Sequence, residues 1–423
     1  MYFPPEVTER EFPYLIRRFR EITGWSPWQK RLDWLQDGVS KTIAMPHFWR
    51  ERFELELAFA TICKRYKITG RYPRKNLTLD QQRVLSFVSM VVRCHERLSQ
   101  RGQNRLRGMI LDSLKSDYGL APLAYEMKIA AHLMTRNFGV IFHDLETGGG
   151  YDYLAVKDDM RIEIECKFVS GDIGRQIHLK RLHQFGEYVT PKLHALLSQV
   201  SGGLLVQLTI PGRLHGQESQ HASIAEQLSH AITLQEREYR DAGNEISISK
   251  FDLENSPFAT HTPQFLSKNE VDQFVFKTFG VNNKNMLIMF RPHRHAVIVV
   301  LQSAKEERVL TGIHRQLKGS ARQQFTGCLP AVLCCHLADL QEHELSSLQH
   351  KDDDAVGLNY MTSDLIIRRP QLLAVTYTAP GRLVNESVLI GNMEQQSHRE
   401  QGAAYTIRNP NHSFAQDARY ILF

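Results

Sequence analysis

The spacing of apolar positions changes along the chain, and the changes predict its elements. In the first 120 residues the pattern is helical, most clearly from Leu79, where Thr78 and Gln81 form a predicted capping box. The helical spacing returns from Leu123 to Asn137. Three predicted strands follow, at 139–142, 151–156 and 161–169. The chain therefore changes from helical to α/β near residue 118.

The rest of the chain continues to alternate between helices and strands. A helix is predicted at 175–199 and a fourth strand at 203–210. Beyond Pro211 the pattern predicts helices at 221–238 and 305–325 and strands at 245–251, 296–302 and 330–337. The predicted fold class is α/β in three parts: a helical basic N-terminal domain at 1–117, an αβββαβ core at 118–212 and an α/β C-terminal region of unknown role at 213–423.

Composition is that of an ordinary globular protein of 423 residues, with 42% hydrophobic and 23% charged positions. No apolar stretch approaches the roughly 20 residues of a membrane span, and the N-terminus does not resemble a signal peptide. The six cysteines have no framework spacing and include no CxxC pair. These features predict a cytoplasmic protein with reduced thiols and no membrane partner.

Positive charge is concentrated at the N-terminal end, where residues 1–120 contain 22 Lys and Arg against 13 Asp and Glu. Arg93, Arg97, Arg101 and Arg105 recur every four residues, and 64–75 holds six basic residues together with two tyrosines. Both features are candidates for phosphate contacts, although charge stripes are often only solvated faces. Nucleic acid, with DNA favoured, is the expected partner.

The third predicted strand carries an unusual set of charges. Because side chains alternate along a strand, Glu163, Glu165 and Lys167 share one face. Asp152 on the preceding strand adds a second candidate metal ligand, because a hairpin would place it opposite Glu165. Hard carboxylate oxygens are the ligands that Mg²⁺ prefers. Glu163 is expected at the solvated rim, and the alternative for the whole set is a surface strand with a cross-strand ion pair.

Asp152 and the Glu165-Cys166-Lys167 tripeptide, with Glu126 on the preceding helix, resemble the PD-(D/E)XK nuclease superfamily over residues 118–212. The resemblance implies a restriction-endonuclease-like core with Mg²⁺ as cofactor, for which Mn²⁺ can substitute. It also implies that Asp152 and Glu165 hold the metal, that Lys167 acts on the water and the transition state, and that Glu126 assists.

Gln184 and Tyr188 are similar to the Q-x-x-x-Y signature of the RecB-like branch of that superfamily, where they would contact substrate or support the site. Two departures are visible: Tyr151 stands in place of the Pro, and Gly186 interrupts the helix between Gln184 and Tyr188.

The resulting hypothesis is a Mg²⁺-dependent endonuclease acting on DNA, with phage defence suggested by analogy alone. Two alternatives remain open, namely a non-catalytic nucleic-acid-binding protein and a nuclease effector that is active only with a partner. A homo-oligomer or a partner subunit is compatible with each of them.

Overall fold

A computed structural model describes residues 7–8, 10–45, 47–72, 77–197, 202–234, 237–259, 268–283, 285–338, 340, 345, 357–379 and 404–414. They form two compact units. The first unit takes its residues from 1–35, 52–173 and 309–423, and the second from 36–51 and 174–308. No helix within the described ranges is long and apolar enough to cross a membrane.

The N-terminal part of the chain is helical, as the apolar spacing predicts. Its helices are α1 (Phe12–Thr23), α2 (Ser26–Lys41), α3 (Phe48–Arg52), α4 (Glu54–Thr69), α5 (Leu79–His95), α6 (Gln100–Ser113) and α7 (Ala121–Thr135). Helices α2 and α3 contribute residues to both units. The predicted capping box is confirmed, because Thr78 accepts from the Gln81 amide and the Gln81 side chain accepts from the Thr78 amide.

Aromatic side chains hold the first of these helices together. Phe19 of α1 lies 5.7 Å from Trp28 of α2 and 5.4 Å from Phe59 of α4, measured between ring centroids. All three rings are completely buried. Each such pair contributes about 0.5–1.5 kcal/mol beyond the burial of apolar area, so this cluster anchors the helical part of the first unit.

A six-stranded mixed sheet forms the rest of the first unit. Its strands are β1 (Gly139–Phe142), β2 (Tyr153–Lys157), β3 (Met160–Val169), β9 (Ala331–Leu337), β10 (Leu372–Thr378) and β11 (Ala404–Arg408), in the order β1-β2-β3-β9-β10-β11. The first three are an antiparallel meander, and β9 pairs in parallel with both β3 and β10. A short helix, α8 (His143–Thr147), connects β1 to β2.

The two faces of this sheet are covered by different helices. Ile162, Ile164 and Cys166 of β3 pack into the cluster that contains α5 and α7. On the opposite face, residues of β9 and β10 pack with α12 (Val309–Gln323) and α13 (Leu358–Arg368). The predicted alternation of β3 is therefore confirmed for its apolar side.

Residues 174–308 separate β3 from α12 and belong to the second unit. The two ends of this segment are joined by a hydrogen bond of 2.8 Å from the Arg308 amide to the Gly174 carbonyl. A segment whose ends are adjacent can be inserted without disturbing the host fold. In the first unit the order of elements from α7 onward is consequently α7, β1, the short helix α8, β2, β3, then α12 and β9.

The second unit contains a five-stranded sheet in the order β5-β6-β4-β8-β7. Its strands are β4 (Gly202–Ile210), β5 (Glu238–Asp241), β6 (Asn244–Phe251), β7 (Met286–Arg291) and β8 (His295–Ser303). Its helices are α9 (Leu179–Leu197), α10 (Glu218–Leu234) and α11 (Lys268–Phe279). The apolar side chains of α9 and α10 pack on one face of the sheet and those of α11 on the other.

The prediction that 203–210 completes the core sheet is wrong. Strand β4 pairs with β6 and β8, whereas β9 lies beside β3. The second unit is inserted between β3 and the strand that pairs with it, and apolar spacing identifies a strand without identifying its neighbour. The predicted core at 118–212 is therefore divided between the two units, with the boundary after residue 173.

Candidate active site

The β2–β3 hairpin brings Asp152 and Glu165 together. Tyr153 pairs with Ile164, so the next positions outward are Asp152 and Glu165. The carboxylate of Asp152 accepts a hydrogen bond of 2.6 Å from the Cys166 amide. This bond fixes Asp152, which lies one residue before β2, against the strand that carries Glu165.

Glu165 is buried, with only 2% of its side chain exposed, and its two oxygens differ. Oε1 pairs with Nζ of Lys167 at 2.5 Å. Oε2 is also buried but has no hydrogen-bond partner within the described residues. A buried carboxylate oxygen without a partner is costly, because desolvation is not compensated by a donor or a cation.

Glu126 and Asp152 line one small cavity of about 10 Å³, together with Asp144 and Tyr153. That volume is close to what one water-sized sphere requires. Burial and the neighbouring charge of Glu165 raise the pKa of Asp152 to about 7. Burial raises the pKa of Glu126 well above its usual value, and the charge of Asp152 raises it further. The structure thus places Glu126 on α7 beside the hairpin carboxylates.

Asp144 is a member of this group that the sequence analysis missed. It lies on α8 directly after β1, and its charge adds to the raised pKa values of Asp152 and Glu165. The His143 amide donates to the Asp152 carbonyl at 2.9 Å, which ties α8 to the start of β2. An acidic residue at the end of a short buried strand is the signal that could have identified it.

Glu163, which shares this face of β3 with Glu165 and Lys167, is fully buried, so its predicted place at the solvated rim is wrong. One of its oxygens accepts from the Thr326 amide at 3.0 Å, and the other accepts from the Thr326 hydroxyl. The turn after α12 covers this end of the strand, which the local sequence of β3 could not indicate. Both oxygens of Glu163 are satisfied.

The four arginines do not form one helical stripe, contrary to the prediction. Helix α5 ends at His95 and α6 begins at Gln100, because Ser99 caps it by accepting from the Gly102 amide. Arg93 pairs with Glu11 at 2.8 Å, and Arg97 lies between the two helices. Their contact with nucleic acid stays a prediction.

Two of these arginines instead support the helix that carries Asp144. Arg101 donates to the Thr147 carbonyl at 2.9 Å, and Arg105 donates to the Asp144 carbonyl at 3.0 Å. The Thr147 carbonyl lies at the C-terminus of α8, where carbonyls lack intrahelical donors, and Arg101 supplies one. The Asp144 carbonyl also accepts from the Gly148 amide at 2.8 Å, so Arg105 is a second donor to it. Arg101 and Arg105 therefore hold α8 in place.

Gln184 and Tyr188 lie on α9, in the second unit, and their described partners belong to that unit. Gln184 accepts from Arg181 at 2.8 Å, and the Tyr188 hydroxyl accepts from Lys192 at 3.1 Å. Gly186 between them packs closely on Leu287, because a Cβ there would lie 2.9 Å from Cδ2 of Leu287 and that side chain would have to shift. Their role at a nuclease site stays a prediction.

No protein-family model, no curated protein and no solved structure matches this chain. The carboxylate cluster, defined as Glu126, Asp144, Asp152 and Glu165, is therefore the basis for assigning a function. It contains four acidic groups against one cation, Lys167, whose pKa is raised by Glu165 and Asp152 although burial acts in the opposite direction. Such a group binds either protons or additional cations.

The cluster fits a divalent metal ion. The orphaned Oε2 of Glu165 and the carboxylate of Asp152 are hard oxygen donors. Within the described residues, no three histidine, cysteine, aspartate or glutamate side chains are arranged as ready ligands of one ion. Mg²⁺ does not require three, because it usually binds one or two carboxylates and completes its shell with water and substrate phosphate.

Proposed function

We propose that this chain is a metal-dependent nuclease that hydrolyses phosphodiester bonds, with DNA as its expected substrate. The observation that carries the proposal is the buried Oε2 of Glu165, which has no hydrogen-bond partner among the described residues and lies within a cluster of four carboxylates and one lysine. A structural ion pair would need only Glu165 and Lys167. The surplus of acidic groups favours a site that binds a cation.

The order of elements in the first unit also supports the proposal. The PD-(D/E)XK resemblance implies a helix, three strands, a helix and a strand. The elements α7, β1, β2, β3, α12 and β9 follow that order, with the five-residue helix α8 added between β1 and β2 and the second unit inserted after β3. In this assignment α12 is the second helix of the core and β9 its fourth strand, whereas the sequence analysis predicted α9 and β4 for these two positions.

Asp152 and Glu165 would hold Mg²⁺, for which Mn²⁺ can substitute, and the ion would supply an activated water and neutralise phosphate charge. Hydrolysis forms a bond from the water oxygen to phosphorus and breaks the bond to the leaving sugar oxygen. The ammonium of Lys167, held by Glu165, orients the water and stabilises the charge that develops on phosphate oxygens. Glu126 and Asp144 would strengthen cation binding by their charge.

The expected biological setting is restriction or phage defence, which rests on analogy alone. A partner subunit or a second copy is compatible with the proposal.

The test is cleavage of supercoiled plasmid, linear duplex and single-stranded DNA in Mg²⁺, Mn²⁺ or EDTA. We expect metal-dependent cutting that Glu165→Ala and Lys167→Ala both abolish. Glu163→Gln is the matched control, because Glu163 lies on the same face of β3 but has both oxygens satisfied by Thr326. DNA binding without cutting in every metal would contradict the proposal and favour a binding protein or a partner-gated effector.

A further inference from the structure

A second cavity lies in the helical part of the first unit, lined by α1 and by the C-terminal end of α4 with the turn that follows it. Its volume is about 1320 Å³. Pockets for single small molecules usually measure about 300–1,000 Å³. The cavity therefore has room for a ligand longer than one mononucleotide.

The lining of this cavity is strongly basic. It contains four arginines, Arg17, Arg20, Arg65 and Arg71, and one acid, Glu21. The carboxylate of Glu21 already pairs with Arg18 at 3.1 Å. Within the described residues, none of the four guanidinium groups has a carboxylate within 4.0 Å, and the buried Nε of Arg20 has no hydrogen-bond partner. Arg17, Arg65 and Arg71 are exposed, so their guanidinium groups are available to bind an anion.

Aromatic rings stand beside these charges. Tyr66 and Tyr72 are stacked, with ring centroids 4.2 Å apart and planes inclined by 9°. The Arg20 guanidinium lies 4.6 Å above the ring of Trp25. Tyr66 is 37% exposed, so the stack is accessible to a further planar group. Guanidinium groups with accessible aromatic faces are the combination that binds phosphates and unstacked bases.

We infer that this cavity binds a single-stranded segment of nucleic acid, with its phosphates on Arg17, Arg65 and Arg71 and a base against the Tyr66–Tyr72 stack. A single strand is favoured over a duplex, because the bases of a duplex are already stacked on each other and cannot reach an aromatic side chain. The inference does not depend on the proposed hydrolysis, because binding can be measured without a metal.

The test is fluorescence anisotropy of a labelled oligothymidylate of about 12 nucleotides with the full chain in EDTA. We expect Arg17→Glu with Arg65→Glu to weaken binding at least about tenfold and to reduce the slope of log affinity against log salt by about 1.4. Tyr66→Ala should weaken binding about fivefold or more with an unchanged salt slope.

The matched control is Arg315→Glu with Arg322→Glu, two exposed arginines on α12 that undergo the same change of charge. Thermal melts of each variant show that it is folded. Equal losses in both double variants would overturn the inference, because the effect would then be one of net charge. Displacement of the strand by inorganic phosphate or thymidine monophosphate at equal concentration would also overturn it, in favour of a small-anion site.

Discussion

Two carboxylates on one face of β3, only two residues apart, differ in how they are satisfied. Glu163 and Glu165 are both buried, with 0% and 1% of the residue exposed. Glu163 has a donor for each oxygen, both from Thr326. Glu165 has Lys167 on one oxygen, and in the part of the chain that the structure describes its other oxygen has no hydrogen-bond partner. Burial alone therefore does not distinguish a structural carboxylate from a functional one.

Glu163 and Glu165 differ in the hydrogen-bond and charge partners that the surrounding elements supply. A turn of the first unit folds over Glu163 and completes its hydrogen bonds, whereas Glu165 faces other acidic groups. Burial raises the pKa of Glu165, and Asp144 raises it further against the opposing effects of Lys167 and the backbone of Asp152. Near Glu163, protein donors satisfy the carboxylate. Near Glu165, the carboxylate still has an oxygen that can bind a cation.

The largest expected effect is that of Glu165→Gln, which preserves shape and removes the charge. We expect metal-dependent hydrolysis to fall by about 10²- to 10³-fold or more, because a group that acts on the transition state is lost. Initial rates of plasmid cleavage at saturating Mg²⁺ measure the change. A variant that cuts at more than a tenth of the original rate would show that Glu165 is not a ligand.

A second, smaller effect is expected for Asp144→Asn. Asp144 lines the same cavity as Glu126 and Asp152 but belongs to α8, so it acts on the cation from a distance. We expect the metal concentration for half-maximal activity to rise about 10- to 100-fold, with little change in rate at saturating metal. A titration with Mg²⁺ separates the two quantities, and an unchanged midpoint would exclude Asp144 from the site.

Much of the hairpin could be predicted from the sequence, because its information is local. Alternation along β3 determines which side chains share a face, and the twelve residues between Asp152 and Glu165 accommodate one tight turn. Asp144 was missed because it lies on a five-residue helix held by Arg101 and Arg105, which are far away in the sequence.

The neighbour of β3 could not be predicted, for a different reason. Strand β4 follows β3 along the chain, has the length and composition of a core strand, and is nevertheless part of another sheet. The residues between β3 and β9 form a unit with its own core, so sequence proximity is a poor guide to pairing here. The local apolar pattern does not indicate which distant strand pairs with a given strand.

Glu163→Gln should lower stability and leave the cleavage rate nearly unchanged, whereas Glu165→Gln should mainly lower the cleavage rate. Only one oxygen remains to accept from Thr326, so one of the two donors is left with a poorer partner. We expect the free energy of unfolding to fall by about 1–3 kcal/mol, while the cleavage rate of the folded variant stays within about threefold. Denaturant unfolding and cleavage of one preparation measure both, and a loss of activity without a loss of stability would place Glu163 in the site.

The smallest expected effect concerns pH in the absence of metal. The pKa of Asp152 is about 7 in the folded chain, whereas an unfolded aspartate titrates near about 3.9. Between these values the native state binds more protons than the unfolded state, so the free energy of unfolding falls as the pH rises. In EDTA, the melting temperature should therefore decrease by several degrees from pH 5 to pH 7.5.

Asp152→Asn tests the origin of this dependence. The amide cannot ionise, so the decrease in melting temperature should become shallower, with a residual slope from Glu126 and Glu165, whose pKa values burial also raises. Saturating Mg²⁺ should stabilise the unsubstituted protein more at pH 7.5 than at pH 5, because the ion competes with protons for the same oxygens. If the melting temperature of Asp152→Asn keeps the same pH dependence and still rises with Mg²⁺, then Asp152 is a structural carboxylate like Glu163. The cation would then bind at a site that does not include Asp152.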